Sequence, residues 1–153
     1  MANWIKLYLD VDKNSEYRAF EESMREGKKG RKARRAAEDM AFSQVVRLYL
    51  LLGQTKEGKI DYTDTGDRLL AEDVMRETGD DLLLIFDRMA MHGVIRRDIW
   101  ASQNVVTTTN AVAQAETRQR NKARSWNANQ AKREKAERER VKDNPEGDPG
   151  GEP

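Results

Sequence analysis

Residues 28–35, Lys-Lys-Gly-Arg-Lys-Ala-Arg-Arg, place six cations and no anion in eight positions. The chemistry such a cluster performs is neutralisation of phosphates, which requires no special fold; the competing use is a solvated loop. A second basic stretch, Thr117-Arg-Gln-Arg-Asn-Lys-Ala-Arg124, alternates cations with polar and small residues. Trp126 follows it amid Ser125, Asn127 and Asn129, where an indole either stacks on a base or covers the core. From Lys132 to Arg140 the charges alternate in sign, as on a salt-bridged exposed helix.

Patterns for other chemistry fail on residue type or spacing. His92 is the only histidine, so neither a histidine cluster nor a catalytic triad forms, and it suits a helix C-terminus. Asp61-x-Thr63-x-Thr65-Gly66 with Glu72 has the spacing of a calcium loop. The third and fifth positions lack carboxylates, however, and Arg68 stands where an apolar residue should pin the loop. These residues read as a strand exit and a helix cap. Asp10 and Asp12 do not make a metal site alone, and Gly27-Lys-Lys-Gly30 lacks the spacing and the Ser/Thr of a phosphate loop. No enzyme, metal or cofactor is expected.

Composition sets the frame for these clusters. Hydrophobic residues are 37% of 153 and charged residues 36%, which suits one core over about two-thirds of the chain plus a solvated remainder. The absence of cysteine excludes disulfides and thiolate sites and fits a reducing cytoplasm. No apolar run approaches a membrane span and the N-terminus lacks a leader pattern, so a cytoplasmic protein without a membrane partner is expected. A net charge of +1 conceals segregation. Residues 54–81 carry nine anions against four cations, residues 111–142 ten cations against four anions, and the last eleven residues four anions alone.

The elements that must position these charges follow from periodicity. Trp4 to Val11 alternates as a half-buried strand, with Ile5, Leu7, Leu9 and Val11 on one face. Asp12 to Ser15 offers cap residues for a short helix through Tyr17, Phe20 and Met24 that ends near Gly27. The basic block is then a loop or the start of the next helix. From Ala33 to Leu52 the spacing predicts the buried central helix, its stripe being Ala37, Met40, Ala41, Val45, Leu48 and Leu52. Val46, Tyr49, Leu50 and Leu51 wrap its second half. Gly58 to Thr63 predicts a short strand, and Thr63 to Thr65 caps a helix carrying Leu69, Leu70, Val74 and Met75.

Thr78-Gly79 turns into another helix, with Asp80 as N-cap and Leu82, Ile85, Phe86 and Met89 as its apolar stripe. Gly93 is placed to close it. Val94 to Trp100 alternates, with Ile95, Arg97 and Ile99 on one face, so a strand is expected. Val105 to Thr109 is β-prone or a helix entry, Asn110 to Val141 a partly formed solvated helix, and the Pro/Gly-rich end disordered.

The order Trp4-Ile-Lys-Leu7, a Leu-rich helix ending Leu51-Leu52-Gly53, the strand Gly58-Lys-Ile-Asp61, a helix–turn–helix and Met91-His-Gly-Val-Ile95 resembles the N-terminal winged-helix domain of phage replisome organisers, a group of replication initiators related to DnaD. Ile99-Trp100-Ala-Ser-Gln103-Asn104, followed by the Arg-rich stretch, is similar to the family's exit from the wing. The resemblance covers roughly residues 4–124. It implies a winged-helix-like domain, and with the patterning above the expected organisation is an α+β, mainly helical winged-helix-like domain over 1–104, a basic helical extension over 105–142 and a disordered acidic tail over 143–153. Only Arg96-Arg97-Asp98 separates Ile95 from Ile99, so the wing is short, and a stand-alone or shortened family member is implied.

The implied function is DNA binding, to duplex or single strand, in a phage or mobile-element replication system, with replication proteins as further partners. The contact set is Lys28, Lys29, Arg31, Lys32, Arg34, Arg35, Arg96, Arg97, Arg118, Arg120, Lys122 and Arg124. The helix that would enter the major groove starts with Asp80, Asp81 and three leucines, which argues against direct base readout and for contacts to the backbone. The alternative is a protein–protein adaptor, or a small transcriptional regulator, that docks a partner on its acidic helix–turn–helix.

Overall fold

The computed structural model describes residues 14–143. The strand expected over residues 4–11, Asp10 and Asp12, and the tail after 143 lie outside the described residues. Helix α1 (Ser15–Arg25) starts at Asn14, whose side chain accepts the N–H groups of Glu16 and Tyr17 and so satisfies two otherwise free donors. Helix α2 (Arg31–Gly53) follows the basic loop. Strand β1 (Lys59–Asp61) leads into helix α3 (Thr65–Met75), whose cap is Asp64, accepting from Asp67 N–H. Next come helix α4 (Gly79–Met91), helix α5 (Arg97–Gln103), strand β2 (Val105–Thr107) and helix α6 (Thr109–Asp143). Among the described residues the fold is mainly helical with a two-stranded antiparallel sheet, β1 on β2, in the register Ile60 opposite Val106.

One core joins these elements. Phe20 of α1, Val45, Leu48 and Leu51 of α2, Ile60, Met75, Leu82, Phe86 and Met89 meet in a cluster closed to solvent. Fully burying each large side chain contributes about 1.5–3 kcal/mol. Tyr62, Phe86 and Trp100 pack edge to face, with ring centroids 5.6–6.0 Å apart. The described chain falls into two compact units divided after Ala115. Val105–Thr107, which the sequence sets in the extension, pairs with β1 inside the first unit. No described helix is long and apolar enough to cross a membrane.

Several expectations require correction. The strand expected over Val94–Trp100 survives only at its start, where Arg96 N–H donates to Thr107 O at 2.9 Å; Arg97 onward is helical. Ile95, Ile99 and Trp100 stand at i, i+4 and i+5, a pattern that satisfies a helix as well as an alternating strand. The choice is made by Trp100, which is 7% exposed and donates from Nε1 to Asp87 Oδ1 at 2.8 Å. Asp80 is not an N-cap. Thr78 holds that position without a side-chain bond, and Asp80 and Asp81 lie in the first turn of α4, favourable to the helix dipole.

Two stripe residues also face outward, Met40 at 50% and Leu69 at 57% exposure, and Gln44 is buried in place of Met40. Its side-chain oxygen has no hydrogen-bond partner among the described residues. The expected break of α4 at Gly93 holds, with φ at 78°. The extension is a continuous helix, α6, rather than a partly formed one.

Candidate nucleic-acid interface

The basic block spans the α1–α2 loop and the first turns of α2. Lys28 and Lys29 lie in the loop, and Arg31, Lys32, Arg34 and Arg35 on the helix. The helix begins after Gly30 with no side-chain cap and no acidic residue in its first turn. Cations at this positive end oppose the helix dipole, an arrangement that nothing in the fold requires. All six side chains are exposed, and none has a carboxylate within 4 Å among the described residues. Their charge is therefore uncompensated. Five of them, Lys28, Lys29, Arg31, Arg34 and Arg35, line an open concavity together with Arg25, Glu38 and Asp39, and Lys32 lies outside it.

Arg25, immediately before the block, behaves differently. Its guanidinium meets Glu22 at 2.6 Å, Glu38 at 2.9 Å and Glu21 at 3.8 Å. The hydrogen bond to Glu38 and then that to Glu22 raise its pKa above the ordinary arginine value. This residue ties the end of α1 to α2 and offsets the carboxylates next to the block. Sequence spacing could have suggested the Glu21/Glu22 pairing at i−4 and i−3, but not Glu38, which only the α1–α2 packing brings near.

The other candidates do not join that concavity. Arg96 is paired with Asp98 at 2.9 Å, and this contact holds the Asp98 carboxyl below its ordinary pKa. Arg97 is exposed in the first turn of α5. Arg118, Arg120, Lys122 and Arg124 are exposed on α6, in the second unit. For Arg120, Lys122 and Arg124 no ion pair forms among the described residues. Trp126 nearby is 62% exposed. Lys132 and Arg133, absent from the expected set, likewise form no ion pair among the described residues. The signal for them is the lack of any anion from Thr117 to Arg133.

The outward face of α4 carries the opposite charge. Asp80, Asp81 and Asp87 are exposed there beside Leu84 and Met91, which are 64% and 66% exposed. Arg88 is the one cation of that helix, and its guanidinium lies against the Met24 thioether of α1. His92 terminates the helix as its C-cap.

In the calcium-like stretch, Asp61 Oδ1 accepts both the N–H and the hydroxyl of Thr63, and these bonds hold its carboxyl below its ordinary pKa. Asp67 Oδ2 accepts Asp61 N–H at 2.9 Å. Both carboxylates fasten the exit of β1 to α3. Comparison with protein-family models, curated proteins and solved structures finds no match for this chain.

Proposed function

We propose that this chain is a DNA-binding protein of a phage or mobile-element replication system, holding DNA mainly through its phosphates. One observation carries the reading. Six exposed cations between Lys28 and Arg35 have no carboxylate partner among the described residues, while the adjacent Arg25 is fully paired. Leaving like charges crowded and unpaired costs stability, and a polyanion relieves that cost while releasing its counterions. A winged-helix domain is supported by the order α2, β1, α3, α4, the extended residues after Gly93, and β2 returning to pair with β1. In this reading α5 occupies the place of the wing hairpin. The acidic face of α4 turns away from DNA, since carboxylates held against phosphates repel.

The test is the salt dependence of duplex binding. Its log–log slope is about 0.9 per phosphate neutralised. Replacing Arg31, Lys32, Arg34 and Arg35 with serine should reduce the slope by roughly 2–4. A parent protein that binds with a slope untouched by these substitutions overturns the assignment of the block.

A second reading rests on Leu84 and Met91, exposed two turns apart on α4 between carboxylates. A protein partner with an apolar ridge and cationic rim fits that face. This adaptor reading expects no DNA binding by the parent and loss of the partner in an Asp80→Asn/Asp81→Asn variant.

A further inference from the structure

We infer that the outward stripe of α4 docks helix α6 of a second copy of this chain, antiparallel, with Trp126 seated between Leu84 and Met91. The contact rests on the α4 face of the second reading above and names its partner; it leaves Lys28–Arg35 free, so it is compatible with DNA binding. Leu84 and Met91 are 64% and 66% exposed. They stand seven residues apart, so they project within about 20° of one another and lie about 10 Å apart along the helix. That is the heptad spacing of a helix-packing seam. Asp80 and Asp87 repeat the spacing along one side of the stripe, while Asp81 and Arg88 lie on the other. Asp80 forms no ion pair among the described residues, and Asp87 engages Trp100 Nε1 through Oδ1.

Helix α6 supplies the complement. Cations run all round it, so Trp126, 62% exposed, is what selects a face. At about 100° per residue, Lys122 and Arg133 project within about 40° of the indole on one side, and Gln130 projects on the other. Neither cation forms an ion pair among the described residues. Arg120, Arg124 and Lys132 point away from this face, and Arg118 has interactions of its own.

The two one-sided rows set the direction of docking. Antiparallel helices placed face to face bring Lys122 and Arg133 over the side of α4 that carries Asp80 and Asp87. Parallel helices bring them over the side that carries Arg88. With Trp126 midway between Leu84 and Met91, Arg133 stands level with Asp80, since both lie about 11 Å from the indole at 1.5 Å per residue. Lys122 falls about one turn from Asp87, within reach of its four-carbon stem. Three apolar side chains and two ion pairs make a small contact beside the about 1,200 Å² of a stable complex, so the association is weak and reversible.

The experiment is sedimentation velocity of the full chain over a concentration series, at low ionic strength and without DNA. The parent's average sedimentation coefficient should rise with concentration, and added salt should reduce the rise by screening the ion pairs. Leu84→Ser/Met91→Ser and Trp126→Ser should each abolish it, with circular dichroism verifying that the helices remain. Mixed together, these two variants should associate again, because each retains the half that the other lacks. Asp80→Arg and Arg133→Glu should each weaken association by roughly threefold or more, and the chain carrying both should recover it. A parent that stays monomeric overturns the inference and leaves the second reading standing with a different partner. Failure of the two variants to complement on mixing, or of the double charge reversal to recover, also overturns it. Association that survives Leu84→Ser/Met91→Ser uses another surface and overturns it as well.

Discussion

Gly58→Ala isolates the contact that seats the start of α6 on the sheet. Gly58 is buried before β1 with φ at 71°, and its carbonyl accepts the Thr107 hydroxyl at 2.9 Å. A Cβ there would stand 2.5 Å from Ala111 O, 2.7 Å from Ala111 C and 3.1 Å from Val112 N. These are backbone atoms of the first turns of α6, so no side chain can rotate aside. Two costs add. An alanine at positive φ loses about 1–2 kcal/mol, and forced overpacking adds about 1–3 kcal/mol. Gly27→Ala supplies the control. Gly27 has φ at 77°, but a Cβ added to it would meet nothing within 4 Å, so only the conformational cost applies. Urea denaturation should place Gly58→Ala about 1–3 kcal/mol below Gly27→Ala with an unchanged m value. Equal losses in the two variants would refute the close approach of α6 to the residue before β1.

Three further outcomes are expected. Leu48 and Phe86 are fully buried, so truncation to alanine should cost about 2–5 kcal/mol for each; denaturation showing less than ~1 kcal/mol for both would contradict the assigned faces of α2 and α4. Thr63→Val removes the hydroxyl that most lowers the Asp61 pKa, so an NMR titration should find that carboxyl closer to its ordinary range. Because the folded pKa is the lower one, the stabilisation is present above the unfolded value and disappears as pH falls through the folded value; the variant should trail the parent near neutrality and converge with it in acid, and an unmoved Asp61 titration sinks the assignment. Asp80→Asn with Asp81→Asn should leave the salt slope unchanged and duplex affinity equal or higher, whereas weakened DNA binding would mean that α4 takes part in the contact.

The parts of the fold that are legible in the sequence are those whose signals agree. Phe86 and Met89 repeat at helical spacing and Gly93 stops the helix, so α4 is readable together with its end. The segment after it misleads because Ile95, Ile99 and Trp100 fit both periods, and the deciding bond reaches thirteen residues back to Asp87. Met40 and Gln44 occupy the same edge of α2, and hydrophobicity alone assigns the buried place to the wrong one. In the candidate site, charge is legible as composition, but its availability is not. Local spacing suggests Glu21 and Glu22 as partners of Arg25, but Glu38 reaches it only through the packing of α1 on α2, and Arg31 has no carboxylate within 4 Å among the described residues.

Availability, rather than total charge, is what decides whether a chain with net charge +1 can hold a polyanion. At physiological ionic strength the field of an exposed charge decays over about 8 Å. The nine anions of residues 54–81 therefore do not cancel cations farther away than that, and each block acts as a local surface. On the proposed reading this constrains the approach. In a helix–turn–helix protein the second helix ordinarily enters the major groove by its N-terminal turn, and here that turn bears Asp80 and Asp81. Bringing it within a Debye length of phosphates would oppose the gain at Lys28–Arg35. DNA must then meet the first unit at the start of α2, with the N-terminal turn of α4 left outside the contact. The Asp80→Asn/Asp81→Asn measurement tests that orientation directly.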